Sequence, residues 1–550
     1  MPRHRHIFIL LLMAVLALPG FAQGQSEFSP ESVLSGLPVQ SGGRMKPLDT
    51  LARESVRHVT GKAEFQNQDP VLTLLGWWAK PEETPKLELI EFRDLQAKTE
   101  LGLAAERRWY SLAELQANSK LSAAREEIHK QLRAEEELQG TQLKIQELLG
   151  KMNTVQSTID GSLITAVPNP AGMEQPWGSF ADLTHADTVP MVAEAKGAVA
   201  DLRTAMASND TAKFHQAAIT TRQQLARIGA VPEEVDMVRE IRYNKSHPFR
   251  KAWMLYLAGL AVLAFVKAEG RSTGYWAGFS LIASGFLMHI YGFYMRCSIA
   301  GRPPVTNMYE SVIWVAFGAV LFAFILEMVS PKRWYLMSAA AGAIVCLILA
   351  DILPTVLDPS IRPLTPVLRS NFWLTIHVLS ITLGYAGFLL ALGLGHIVLW
   401  KSATRPEESD KISSLHDALY RALQVGVLLL AAGTILGGVW ANYSWGRFWG
   451  WDPKEVWALI ALLGYLAILH GRHAGWLRKF GIAAWSIIAF QGVLMAWYGV
   501  NFVLGAGLHS YGFGTGGRSY VGIYVLCEIA FVLWATWKHR GHQLPAGARG

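Results

Sequence analysis

Trp445-Gly446-Arg447-Phe448-Trp449-Gly450-Trp451-Asp452-Pro453-Lys454-Glu455-Val456-Trp457 packs four tryptophans into thirteen residues, beside two glycines, a proline and four charged groups. Apolar runs flank it on both sides. Tryptophan favours the membrane interface, where one edge of the ring is apolar and the other wet. A flat aromatic shelf with charges at its rim suits a flat, mostly apolar ligand that carries acidic groups, and haem has that shape and chemistry. The simpler alternative is an aromatic belt that only anchors helices. Belts, however, scatter their tryptophans over many helix ends and do not gather them in one loop.

The composition around this segment is that of a membrane protein with a soluble part. Of 550 residues, 51% are hydrophobic and 17% charged, and the mean hydropathy is +0.22. The net charge is +7, but the basic residues are spread over loops, with no stripe that would fit a nucleic acid. Arg3 and Arg5 precede an apolar run, Ile7 to Leu18, and small residues follow at Gly20-Phe21-Ala22. Residues 1–22 therefore read as a signal peptide or an uncleaved anchor. The three cysteines, Cys297, Cys346 and Cys527, are far apart and form no CxxC or CxxCH. This excludes a disulfide framework and a covalent haem attachment site in the chain, so any haem is held noncovalently.

Residues 23–247 contain no run long enough to cross a bilayer and read as a mostly helical extracytoplasmic domain. A short strand is expected at Leu87–Phe92 and a helix from Ser122 to Ile159, interrupted near Gly140. A helical hairpin is expected over Met191–Ala207 and Thr211–Ile228, with Asp210 capping its second arm. Gly42-Gly43-Arg44-Met45-Lys46-Pro47-Leu48-Asp49-Thr50 stands out, and reads as a charged turn opening a helix or as a contact for a partner.

After His247-Pro248 the chain becomes apolar. Nine spans are expected, near 252–268, 275–296, 308–329, 334–353, 371–400, 420–440, 456–471, 481–504 and 519–537, several of them near the length a bilayer requires. The fold class is thus all-α and polytopic, with a membrane domain over 248–540. If the N-terminal domain is outside, the loops with Lys267/Arg271, Lys332/Arg333, Lys401/Arg405/Lys411, Arg472/Arg478/Lys479 and the tail Lys538/Arg540 all fall inside, as the positive-inside rule asks. The Trp-rich loop, 440–457, is then outside.

Histidines within spans are costly and mark function. His377 lies near the outer end of its span and His509 in the last outer loop, so both flank the Trp loop at one membrane level although 132 residues apart. Two imidazoles there are suited to be axial ligands of haem iron. His470 ends the span after the Trp loop, on the inner side. His289 and His396 lie within spans and are more simply hydrogen-bonded helix histidines. Arg447, Lys454, Arg302 and Arg518 are outer cations suited to haem carboxylates. Asp452, before Pro453, reads as a helix cap or a site residue.

These residues resemble a known family. Trp445 to Trp457 is similar to the WWD domain of haem-handling membrane proteins, and its Asp-Pro-Lys-Glu ending most resembles the CcsA (ResC) branch of the system II cytochrome c synthase; the related CcmC and CcmF proteins differ at those positions. Gly301 to Ser311, Phe372 to His377, Leu469 to Arg472 and Asn501 to Gly512 resemble further segments of that branch, and the likeness runs from about 275 to 537. The resemblance implies cytochrome c biogenesis. It implies that haem b is noncovalently bound as substrate, carried to the outer face and presented for thioether attachment to the CxxCH of an apocytochrome c. It implies His377 and His509 as outer iron ligands, His470 as an inner one, and Trp445, Trp449 and Trp451 as the shelf. It implies an enzyme component, a holocytochrome c synthase or haem lyase, in a bacterial-type inner membrane and surrounded by lipid. The family's second inner histidine comes from a CcsB (ResB) component, and no CcsB-like part is found here, so a separate partner, His289 or His396 has to supply it. The N-terminal region resembles a module found ahead of some members.

Two other readings compete. A di-haem b-type electron-transfer subunit places ligand pairs on one helix about four turns apart, but His377 and His396 are 19 residues apart, about 28 Å at helical rise. A solute transporter calls for inverted repeats, and none is evident.

Overall fold

The computed structural model describes residues 30–136, 138, 140–183, 190–266, 272–354, 356–364, 371–505, 507 and 517–543. The segment expected to be a signal peptide lies outside them. The chain divides into two compact units that meet in sequence at Ser246 and His247.

The N-terminal unit is mostly helical, with two small antiparallel sheets. Its first hairpin pairs β1 (Pro38–Ser41) with β2 (Arg44–Pro47). The turn between them is Gly42-Gly43, both at positive φ (63° and 79°), the backbone a tight hairpin needs and glycine supplies. Helix α1 (Leu48–Thr60) follows directly. The polar residues of this motif are consumed internally. Arg44 donates through both terminal nitrogens to Glu240 at 2.7 and 2.6 Å. Thr50 donates to the same carboxylate at 2.8 Å, and Asn244 to Asp49 at 2.8 Å. Glu240 and Asn244 belong to α2 (Glu234–Ser246), so the motif fastens the helix that leads into the membrane unit. Within the helical stretch expected over 122–159, the chain forms Ser119–Arg133 and Thr141–Asp160, parted at Gly140 (φ 55°). Ile145, Leu148, Val155 and Ile159 are buried in the unit's core. The expected hairpin spans Pro190–Ala207 and Thr211–Ile228, and Asp210 accepts from the Lys213 N–H at 3.1 Å.

Among the described residues of the second unit, eight helices are long and apolar enough to cross a membrane. They are α4 (Thr273–Ala300), α5 (Met308–Val329), α6 (Trp334–Ile352), α7 (Thr375–Thr404), α8 (Ser409–Trp445), α9 (Pro453–His473), α10 (Lys479–Leu504) and α11 (Arg518–His542). The remaining expected span is α3 (Pro248–Phe265), which opens with Arg250 and Lys251 and keeps only Ala252–Phe265 as its apolar part. It packs along α4, and Arg250 forks onto Asp351 at the end of α6 at 2.8 and 2.9 Å. Helix α7 is central, with 72% of its apolar window buried, whereas α11 is peripheral at 11%. The α7–α8 crossing is close: a Cβ at Gly387 would lie 2.9 Å from Gly426 Cα. Small residues permit such backbone approach inside a membrane bundle.

One end of this unit is drawn together by Val305, Val378 and Trp440, with Leu364 and Trp373 packed against them. It is fixed by a buried ion cluster. Arg296 donates to Glu310 at 2.6 Å and Arg302 lies 3.5 Å from the other oxygen. Arg302 also donates to the Arg362 carbonyl at 2.6 Å, and Arg296 to that of Pro359 at 2.9 Å. Glu310 is fully buried, a placement that is stable only when the charge is paired and its lone pairs are filled. The cluster ties the start of α5 to the loop after α6.

Candidate functional site

The Trp-rich segment is a tight connection between two long helices. Helix α8 runs through Trp445 and ends on Gly446 (φ 69°), whose N–H bonds to the Asn442 carbonyl. Helix α9 begins at Pro453, where a missing N–H costs nothing. Asp452 caps it, accepting from the Lys454 N–H at 3.0 Å. Glu455 reaches back to the Asp452 and Gly450 N–H groups at 3.1 and 2.8 Å, completing a capping box. Of the two roles expected for Asp452, cap or site residue, the cap is made. Arg447 sits over the Trp445 ring at 5.8 Å and 3.7 Å from Glu455. Trp451 has φ 58°, a left-handed conformation that costs a bulky residue energy, and its ring is 72% exposed. Trp449 meets it edge-on at 6.1 Å and turns inward.

The inward side is a partly open cavity. Its wall includes His377, Met308, Tyr385, Trp449, Trp497 and Asn501, with Lys454 and Glu455 at one side. Two stretches that bear on it are wound as π-helix. One is Leu374–Val378 at the start of α7, and the other is Met495–Leu504 at the end of α10. π-Turns are rare and concentrate at functional sites. Here each re-aims side chains that a regular helix would send elsewhere, His377 in the first and Trp497 and Asn501 in the second.

His377 is buried. Its Nδ1 lies 2.8 Å from the Gly433 carbonyl oxygen. A carbonyl only accepts, so Nδ1 carries the proton and Nε2 carries the lone pair. Helix α8 offers the ring a glycine face: a Cβ at Gly437 would stand 2.6 Å from His377 Cε1 and one at Gly438 2.5 Å from Phe448 Cζ. Trp440 closes the other side, ring centres 5.6 Å apart. A buried imidazole held by a backbone carbonyl, with its tautomer fixed, is the arrangement metal-ligating histidines adopt.

Residues 305–509, which contain His377, the Trp loop, His470 and His509, match the family of cytochrome C assembly proteins. The cytochrome c biogenesis protein CcsA of Synechococcus sp. (strain RCC307) is 36% identical over 245 residues, 39% of this chain and 77% of that one. CcsA of Chlorella vulgaris is 33% identical over 282 residues, 44% and 88% of the two chains. The chain belongs to the CcsA family of cytochrome c biogenesis proteins. The protein NrfI of Wolinella succinogenes is 28% identical over 504 residues, covering 85% of this chain and 53% of NrfI. That likeness extends into the N-terminal unit, and the chain spans about half the length of NrfI.

Of the site residues expected for a CcsA-family chain, the structure brings His377, Trp449 and Lys454 to one cavity. Trp445, Arg447, Trp451 and Asp452 build the loop beside it. His509 lies outside the described residues. Gly507, two positions before it, runs against Asp452, since a Cβ there would fall 2.6 Å from the carboxylate. Arg302 serves the buried ion cluster, and Arg518 donates to the Phe502 carbonyl at 2.7 Å. His470 is exposed at the far end of α9, its Nδ1 2.8 Å from the Leu466 carbonyl, about 25 Å from Pro453 at helical rise.

His289 and His396, the two further histidines expected within spans, are engaged at both nitrogens. His289 donates from Nε2 to the Ile313 carbonyl (3.1 Å) and accepts the Tyr256 hydroxyl at Nδ1 (3.2 Å). His396 bonds the Leu392 carbonyl and Glu528, both at 2.8 Å. His396 thus has both ring nitrogens occupied, and the electron-transfer reading is not favoured. Glu455, Trp497, Asn501 and the glycine face of α8 were not among the expected site residues. The spacing Gly433-x3-Gly437-Gly438 was the available signal.

Proposed function

We propose that this chain holds haem b, noncovalently and as substrate, in the cavity beside the Trp loop and presents it to the CxxCH segment of an apocytochrome c. In this reading it is the haem-handling component of a holocytochrome c synthase. The observation that carries it is the His377–Gly433 bond, which puts the proton on Nδ1 of an imidazole that lines an aromatic cavity. His509 supplies the second axial ligand. Lys454 faces the same cavity and is placed to pair with a haem carboxylate. Two thiols add across the two haem vinyl groups: each forms one S–C bond, and its proton goes to the other vinyl carbon, with no net oxidation. The chain's contribution is position and the exclusion of competing chemistry.

His470 is the ligand at the supply end of the path. A CcsB/ResB-type partner provides the second ligand there, a reading supported by the full engagement of His289 and His396. The Trp loop and the N-terminal unit face the extracytoplasmic side of a bacterial-type inner membrane, as the signal-like start and the placement of Lys and Arg indicate. The test is co-expression with the partner and a CxxCH reporter in a host without its own maturation system. Wild type yields covalently haem-stained reporter, and His377→Ala yields little. Reporter matured equally by both would contradict the proposal.

A further inference from the structure

The end of the bundle opposite the Trp loop carries a second arrangement of polar groups. Three cations from separate elements converge on two turns at the start of α8. Lys332 donates to the Ser414 carbonyl at 3.3 Å, and Lys479 to the Ser413 hydroxyl at 2.8 Å. Arg472, in the last turn of α9, stacks its guanidinium 3.5 Å over the Tyr420 ring. One turn before Tyr420 is His416, 3% exposed, and the charges of Arg472 and Lys479 both act on its ring.

What this cluster lacks among the described residues is an acceptor. Arg472 makes no hydrogen bond or ion pair there, and its Nη1 is buried without a partner. His416 Nε2 is likewise buried and unpartnered. The neighbouring carboxylate, Asp417, lies 3.7 Å from the other ring nitrogen and is 56% exposed. Guanidinium is a donor only, and buried donors are almost always matched by an acceptor. Stacking on Tyr420 holds the fork in one plane, the geometry that fits a carboxylate or a phosphate.

We propose that Arg472, His416 and Lys479 form a seat for an oxyanion at this end of the bundle. Two sources have the right chemistry. One is a carboxylate of haem arriving at His470, two residues from Arg472, and that assignment rests on the function proposed above. The other is the phosphate of an anionic lipid.

The test uses the full chain purified in neutral detergent, with inorganic phosphate as the probe followed by phosphorus NMR. Saturable line broadening is expected for wild type. Arg472→Gln should weaken it about tenfold, the loss of a charge-assisted hydrogen bond, and Lys479→Gln by less. Arg472→Lys, which keeps the charge and guards against a folding defect, should fall between. Displacement of phosphate by metal-free protoporphyrin, but not by its dimethyl ester, assigns the seat to haem carboxylates. Displacement by short-chain phosphatidylglycerol assigns it to lipid. The proposal is overturned by the absence of saturable binding, by equal affinity in wild type, Arg472→Gln and Lys479→Gln, or by failure of both competitors. The metal-free porphyrin offers no iron, so a failure of His470 as a ligand leaves this result standing.

Discussion

His377 Nδ1 is held 2.8 Å from the carbonyl oxygen of Gly433, a residue on the neighbouring helix. This bond sets the tautomer, and the glycine face around it sets the position of the ring. Gly437→Ala would put a methyl 2.6 Å from His377 Cε1, so the ring must shift. Haem retained by the purified protein should fall about 10–100-fold in affinity, the range for disturbed supports of metal ligands. Gly464→Ala, where a Cβ meets nothing within 4 Å, should leave haem content unchanged. Haem titration of the two variants checks this.

Trp451 stores backbone strain next to the cavity. Trp451→Gly should relieve about 1–2 kcal/mol of left-handed cost and raise the thermal midpoint, while lowering reporter maturation if the exposed ring meets substrate. Differential scanning calorimetry and the CxxCH reporter read the two effects separately. Asp452→Ala, by contrast, should lower stability by about 0.5–2 kcal/mol through loss of the cap.

The Arg296–Glu310–Arg302 cluster is structural in this account. Glu310→Ala strands two buried cations, and breaking a buried pair costs about 3–5 kcal/mol, so little folded protein should accumulate. Arg302→Ala should reduce yield, yet the haem content of each folded molecule should stay near wild type. Yield by immunoblot against haem per purified chain distinguishes this from a direct role in carboxylate binding.

In the N-terminal unit, Glu240 joins Arg44 and Thr50 to the helix leading to the membrane. Glu240→Ala leaves a partly buried guanidinium unpaired and should destabilise this unit by about 3 kcal/mol. Limited proteolysis should then cut the unit first and spare the helices beyond His247.

Much of this was legible before any coordinates. Most span ends fell within a few residues of expectation because long apolar runs punctuated by Gly, Pro and charge leave few choices, although α8 begins at Ser409 and not near 420. Asp452-Pro453 reads as a capped helix start, and Asp452 caps the helix. His377 stood out as a polar group in an apolar helix. The rest depended on long-range packing. Arg302 looked like a free outer cation because its partners, Glu310 and the Arg362 carbonyl, are matched only by the fold. The π-winding at Leu374–Val378 and Met495–Leu504 has no sequence signature of its own. Arg44, Lys46 and Asp49 read as a charged turn opening a helix or as a partner contact; the turn and the helix form, but that Glu240 and Asn244, nearly two hundred residues on, take up Arg44 and Asp49 was not legible.

The central claim is that His377 Nε2 ligates haem iron at the cavity. The most direct measurement is the absorption spectrum of the reduced, purified chain, wild type against His377→Ala, each with and without added imidazole. The account predicts a six-coordinate low-spin spectrum in wild type, its loss in His377→Ala, and its return when imidazole fills the place of the missing ring. An unchanged low-spin spectrum in His377→Ala without imidazole would contradict it.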